Sequence, residues 1–213
     1  SLVDYLEAHD DVGAAQAKLM LHPEMDRINS AGNRCHFLGF GTMTGYREQD
    51  HGQYDQPRSI DYASGAMVMI RREPLEQVGL FDPTFYMYLE DAELSWKLRQ
   101  IGFDTCFVPA SIVYHRYRPD APLRYYYWLE RNRWLLLIVY YRLPTLVLLA
   151  PALLLMELGQ FFFAWRHGKL TEKLRSYWFF WKPANIVMLH QRRRAAQKRR
   201  LIGDRPFMTR FAD

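Results

Sequence analysis

Cysteine is scarce: Cys35 and Cys106 are the only two in 213 residues. No Cys-x-x-Cys pair occurs, which excludes a disulfide framework and a structural zinc finger and fits a reducing compartment. The first residues lack an initiator Met and a basic stretch leading into an apolar run, so no secretory signal is read, and the chain is expected to begin downstream of its gene's start. Residues 1–118 contain no internal repeat and no low-complexity stretch. Acidic residues are scarce in one half only. Residues 119–213 hold 6 Asp and Glu against 17 Lys and Arg, whereas residues 1–118 hold 17 against 11. The net charge of +5 therefore averages an acidic front with a basic tail, and such asymmetry points to a membrane or nucleic-acid partner for the tail. A chain of this length and apolar content has room for one or two domains with a sizeable core, which argues against disorder.

The front half alternates strand and helix signals. Ser1 to His9 reads as a short helix with Leu2 and Leu6 four apart, and Val12 to Leu21 is an apolar run of strand length. Residues 22–59, rich in Gly, Asn, Asp, His and Gln, show no sustained period and are read as a long loop with room for a short hairpin. Ile60 to Ile70 is long enough for a buried strand, and its small Ser64-Gly65-Ala66 would permit close approach of a ligand or backbone. A helix follows, with Pro74 in its first turn and Gly79 as its stop. After an aromatic loop over Leu80 to Tyr88, a second helix runs from about Glu90 to Ile101 with Leu94, Leu98 and Ile101 on one face. Phe103 to Val108 and Ser111 to His115 are read as two short strands separated by Pro109.

Glu90, Asp91 and Glu93 share the first turn of that second helix, below Phe85-Tyr86-Met87-Tyr88. Two readings stand side by side. Acidic residues favour helix N-termini because the dipole stabilises them. Crowded carboxylates also oppose one another's ionisation, so one of them can take a proton near neutral pH and act as a general base. His115 ends its strand where the chain leaves the sheet, a place for a hydrogen-bonded surface residue or a metal ligand. Trp96 and Arg99 read as packing and a solvated charge.

Residues 63–116, ASGAMVMIRREPLEQVGLFDPTFYMYLEDAELSWKLRQIGFDTCFVPASIVYHR, resemble the second half of the catalytic domain of family 2 glycosyltransferases, in particular rhamnosyltransferase-like members, and residues 1–62 fit the preceding stretch more loosely. The resemblance implies an α/β fold, the acceptor-side half of a GT-A domain, and transfer with inversion. It implies that Asp91 is the base that takes the acceptor hydroxyl proton and that Glu90 positions the acceptor. Ser64, Gly65 and Ala66 would lie against the donor sugar, and Trp96 would line or support the acceptor site. His115 would be a ligand of a Mg²⁺ or Mn²⁺ ion on the donor diphosphate. A carboxylate at the attacking hydroxyl and a hard cation on the leaving diphosphate are what such a displacement needs. The family's Asp-x-Asp motif is not found in that context within residues 1–62, so the chain is read as the C-terminal portion of a longer enzyme, inactive by itself.

The tail is aromatic as well as basic: five of the six Trp lie after residue 118. Thr145 to Trp165 is a 21-residue apolar segment, about 31 Å as a helix, with Glu157 as its only charge and Pro151 as a possible kink. Leu135 to Tyr141 precedes it, set apart by Arg142 and Pro144, and Tyr177 to Leu189 follows, interrupted by Lys182-Pro183. A single crossing would place Arg166, Lys169, Lys173, Arg175 and the run RRRAAQKRR at residues 192–200 opposite a cytoplasmic catalytic half, against positive-inside bias. Helices lying in the cytoplasmic leaflet are therefore preferred, followed by a two-pass hairpin and then by a buried core helix. The basic run next to Trp-rich segments suits anionic lipid better than nucleic acid.

The reading is thus a glycosyltransferase portion over residues 1–118 and a helical membrane-associated region over 119–213, at the cytoplasmic face of the cell membrane. Its partners are a nucleotide-sugar donor, a glycan or polyprenyl-linked acceptor and the lipid surface, with no nucleic acid. A non-enzymatic membrane-binding module, or an inactive fragment, is the rival reading.

Overall fold

The computed structural model describes residues 1–118 and 121–204. They fall into two compact units: Ser1–Asp82 with Glu90–Arg118 and the chain from Leu201, and Pro83–Leu89 with Pro119–Arg200.

The first unit runs α1 (Leu2–Ala8), β1 (Val12–Leu21), β2 (Ile28–Ser30), β3 (Asn33–Cys35), β4 (Gly41–Met43), β5 (Arg58–Ser59), β6 (Val68–Ile70), α2 (Arg72–Val78), α3 (Glu90–Gln100) and β7 (Asp104–His115). Ser1 caps α1: the Asp4 N–H donates to the Ser1 hydroxyl, and the Asp4 carboxylate accepts from the Ser1 amine. β1 occupies the predicted residues. All ten are buried, as suits a central strand covered on both faces. β1 pairs in parallel with β7 along one edge; its other edge pairs antiparallel with β6 over Ala14 to Gln16 and with β2 over Leu19 to Met20. β5 adds antiparallel to β7, and β3 and β4 form a separate hairpin. Leu2 and Leu6 of α1 pack on Ala15, Ala17 and Val108, and on the other face Val78 of α2 and Leu94 and Leu98 of α3 pack on Ala14.

The structure corrects the sequence reading in several places. Residues 22–59 hold four short strands rather than one hairpin, and β2 joins the main sheet. Ile60 to Ile70 is not a buried strand: only Val68–Ile70 pairs with β1, and residues 64–67 form a turn closed by the Met67 N–H donating to the Ser64 carbonyl at 3.2 Å. Gly and Ser at the middle of that run favour the turn over the ladder. The two strands set apart by Pro109 are one strand, β7, and the register slips between Ala17 and Lys18 opposite the Pro109 region. Such a bulge accommodates a residue that cannot donate to the ladder. Arg99 is not solvated: it is buried and paired with Asp61 at 3.6 Å and Asp104 at 3.3 Å. Nor does α3 bury a single face, since Glu93, Ser95, Lys97 and Gln100 are buried together with Leu94 and Leu98.

The second unit contains α4 (Ala121–Arg124), α5 (Tyr126–Tyr140), α6 (Leu143–Arg166), α7 (Leu170–Trp181) and α8 (Pro183–Arg199). The breaks fall at Arg142 and at Lys182-Pro183, where the sequence placed them. α6 contains the predicted apolar segment. It is the one helix among the described residues long and apolar enough to cross a membrane, and only 17% of its most apolar window is buried, so it is not a buried core helix. Its covered side carries Leu149, Leu153, Glu157 and Ala164. There Glu157 meets Arg133 of α5 and Lys173 of α7, the latter at 2.7 Å, and accepts from the Tyr177 hydroxyl. Glu130 of α5 completes the cluster through Lys173 and, at 3.2 Å, Arg133. Part of the basic run is engaged rather than solvated: Arg193 donates to the Ile138 and Tyr141 carbonyls, Gln197 to those of Val139 and Tyr140, and Arg200 to that of Tyr140, closing the C-terminal end of α5.

Candidate active site

The start of α3 and residues 63–66, at the entry of the turn over 64–67, form one arrangement. Three successive main-chain N–H groups of the turn each find a different side chain. Ala63 N–H donates to Ser95 Oγ at 3.1 Å, Ser64 N–H to Gln16 Oε1 at 2.7 Å, and Gly65 N–H to Asp91 Oδ2 at 3.1 Å. Asp91 Oδ1 accepts from the Ala92 N–H at 2.8 Å, and Ser95 Oγ returns a bond to the Asp91 carbonyl at 2.9 Å. A Cβ built on Gly65 would lie 3.8 Å from Asp91 Cβ, so turn and carboxylate are in close approach. Gly65 and Ala66 are exposed and Asp91 half-buried, which leaves the group open to solvent on the turn side.

Beside Asp91 a shallow hollow lined by Ala63, Val68, Ile70, Phe81, Leu94 and Ser95 opens to solvent. Burial pushes the Asp91 carboxyl up from its ordinary value, against the N–H bonds from Gly65 and Ala92, which favour the ionised form. Glu90 is raised to about 7, first by burial and then by the charge of Asp91. Its Oε2 is buried and has no hydrogen-bond partner among the described residues. Glu90 thus titrates near neutrality beside the charge of Asp91. Glu93 does not join these two. That side chain is buried and paired with Lys97 at 3.1 Å, so the expected group of three carboxylates is two.

Of the other sequence candidates, Ser64 and Gly65 are tied to Asp91 as described, and Ala66 follows them at the exposed rim of the turn. Trp96 is 0% exposed and has no surface to offer a ligand, which withdraws the expectation that it lines the acceptor site and leaves it a place in the core behind α3. His115 lies at the end of β7, half-buried, with Nδ1 2.8 Å from Asn29 Oδ1 and its ring 5.9 Å from that of Tyr117. Burial lowers its pKa, and a neutral ring donating Nδ1–H to Asn29 keeps a lone pair on Nε2. That is one potential ligand. Among the described residues no three His, Cys, Asp or Glu side chains come together as a metal site, so the Mg²⁺ or Mn²⁺ implied by the resemblance does not find a donor set in them.

Sequence reasoning passed over Gln16, Ser95 and Asn29. A signal for Gln16 was present: in VGAAQAKLML, Gln16 and Lys18 interrupt a run otherwise fully apolar, and a buried polar side chain requires partners. It also passed over Arg131 and Asn132. Within the second unit, Asn132 Nδ2 lies 2.8, 2.8 and 2.7 Å from the carbonyls of Phe85, Met87 and Tyr88. Arg131 donates to those of Thr84 and Phe85. These two side chains hold a segment in which Tyr86, Tyr88 and Leu89 all have φ near +60°, a region costly for residues with a side chain. In sequence that segment leads directly into Glu90.

The model of a family described as glycosyltransferase like family 2 matches residues 1–135. The chain is 33% identical over 72 residues to an N-acetylglucosaminyl-diphospho-decaprenol L-rhamnosyltransferase of Mycobacterium tuberculosis, in strains CDC 1551 / Oshkosh and ATCC 25618 / H37Rv. The matched stretch is 34% of this chain and 23% of that protein, so the chain corresponds to about a quarter of those relatives' length. A crystal structure of GalNAc-T7 with UDP, GalNAc and Mn²⁺ superposes with a TM-score of 0.48 at 18% identity, covering 67% of this chain and 29% of that one.

Proposed function

The chain belongs to the glycosyltransferase like family 2, and from that premise we propose that it is the acceptor-side portion of an inverting glycosyltransferase with Asp91 as its general base. The observation that carries this reading is the Asp91 carboxylate, fixed by the Gly65 and Ala92 N–H groups at the open end of α3 with its pKa raised by burial. A base works best when its pKa approaches the working pH. In the proposed step, an acceptor hydroxyl oxygen forms the new bond to the anomeric carbon from the face opposite the leaving group. Its proton passes to Asp91, and the bond from that carbon to the diphosphate oxygen breaks with its electron pair leaving on the nucleoside diphosphate. Glu90, raised to about 7, positions the acceptor. The turn at Ser64, Gly65 and Ala66 is the surface for the donor sugar.

For the acceptor we propose a lipid-linked or cell-envelope glycan. The matched relative is named for an acceptor of that kind, N-acetylglucosaminyl-diphospho-decaprenol, and the helical region supports a lipid surface as partner. On the side of α6 away from Glu157, Val147, Leu148, Leu154, Leu155, Leu158 and Trp165 are exposed at the three- and four-residue spacing of one stripe. With Glu157 covered by α5 and α7 and this stripe bare, α6 is read as lying in the cytoplasmic leaflet.

Asp91→Asn in the full-length protein tests the base. The amide keeps the shape but takes no proton, so transfer is lost while donor binding is kept. Turnover close to wild type overturns the assignment.

A further inference from the structure

Gln16 is 0% exposed in the middle of β1, and both polar atoms of its amide are hydrogen-bonded. Nε2 donates to Ser30 Oγ at 3.3 Å, and Oε1 accepts from Asn33 Nδ2 at 3.4 Å as well as from Ser64 N–H at 2.7 Å. Ser30 Oγ and Asn33 Oδ1 are themselves 2.7 Å apart, so the Gln16 amide is held in one orientation by a small ring of polar groups from β1, β2 and β3. The shortest of its bonds is the one to the turn.

We propose that Gln16 is a positioning residue for Asp91: by anchoring the Ser64 N–H to the sheet it aims the next N–H, that of Gly65, at the Asp91 carboxylate. The inference rests on the reading of Asp91 as the base. Packing secures only the start of the turn, where Ala63 is buried in one cluster with Ile28, Ala31, Ile60 and Phe107; Gly65 and Ala66 are exposed, and the tip rests on the polar ties of Ala63 and Ser64. The Ala63 tie runs to Ser95, one helical turn beyond Asp91, and so joins the turn to α3 alone. β6 joins the chain to the sheet beyond the turn, from Val68, and Gln16 supplies the tie at Ser64 itself. A Gly at position 65 has no side chain with which to resist drift, so the placing of its N–H depends on the residues on either side. The Gly65 bond favours the ionised carboxylate. If the turn drifts, Asp91 becomes harder to ionise and the acid limb of the rate profile moves to higher pH.

The titratable groups facing Asp91 are Glu90 beside it, Tyr62 and Cys35. Tyr62 and Cys35 are pushed up by burial, with Asp91's charge adding to the rise, and stay neutral through the useful range. Glu90 does titrate there, so the profile is recorded both with Glu90 and in a Glu90→Gln background.

Gln16→Met keeps the volume and removes the acceptor; Gln16→Glu restores an oxygen for Ser64. In the full-length protein Gln16→Met is expected to lower kcat about tenfold on the acid side of the profile and less than about twofold on its plateau, as a limb displaced by one pH unit gives. Amide exchange at Gly65 is expected to quicken, and Gln16→Glu is expected to reverse both effects. A Gln16→Met protein that loses stability while its acid limb and Gly65 exchange match wild type overturns the proposal and leaves Gln16 as a satisfied core amide. Should Gln16→Met fail to fold, exchange in the wild-type protein decides: Ser64 and Gly65 protected together support the tie, and Gly65 exchanging at the rate of a free loop refutes it. Direct titration of the Asp91 carboxyl by carbon NMR separates this inference from the one it rests on. If Asp91→Asn retains turnover, the base assignment falls, yet a higher Asp91 pKa in Gln16→Met still supports the positioning role, and an unchanged one ends it.

Discussion

Lys173 is 0% exposed and sits between Glu130 and Glu157, with Arg133 as the second cation. The cluster holds two carboxylates and two cations, so its charge balances only while all four are present. Lys173→Met preserves length and apolar character but leaves one negative charge in excess among side chains from three helices. Removing one partner of a buried pair costs about 3–5 kcal/mol, because the remaining charge is desolvated without compensation. Urea unfolding in a nonionic detergent can follow this through tryptophan emission, since five of the six Trp lie after residue 118, in the helical unit. The expected result is a midpoint shift equivalent to about 3–5 kcal/mol, with at least half regained by Lys173→Met combined with Glu157→Gln, which restores neutrality. A single variant within about 1 kcal/mol of wild type, or a double variant no more stable than the single, would refute the argument that charge balance holds these helices together.

Glu90 gives a pH test with a defined sign. Its pKa in the folded chain is about 7 against an ordinary 4.5, so the folded state binds the proton more tightly and loses stability as pH rises between those values. Glu90→Gln should therefore stabilise the protein above pH 7 and make little difference below pH 4.5; a urea midpoint difference independent of pH would contradict the burial of this carboxyl. Asn132→Ala should cost about 2–4 kcal/mol by urea titration, since it frees buried carbonyls and releases a strained segment, and a loss under about 0.5 kcal/mol would show that the segment holds itself. For membrane attachment, 1 M salt, which shortens the Debye length to roughly 3 Å, should leave the protein on membranes that nonionic detergent then clears. Recovery as a monodisperse species without detergent or membranes would withdraw the lipid surface.

Local signals in the sequence were enough for α1, β1, α2 and two of the breaks between the tail's helices. Ser1 caps, Gly79 stops α2 with φ +81°, Arg142-Leu143-Pro144 and Lys182-Pro183 break the tail, and each acts on backbone within a few residues of itself. The Glu90-Asp91 pair was legible for the same reason, as a pattern at a helix start. What the sequence could not decide depends on partners distant along the chain. Ile60 to Ile70 has the composition of a strand, but three successive N–H groups from Ala63 to Gly65 find Ser95, Gln16 and Asp91 instead of a ladder. Pro109 reads as a break, but pairing with β1 on either side of it carries β7 through. Arg99 reads as a solvated charge, and it is buried, as Glu93, Glu157 and Lys173 are, because an opposite charge waits at each position. Composition and periodicity report how a segment meets water, whereas a buried polar group is stable only where the fold brings its partner, and that pairing is a property of the tertiary structure alone.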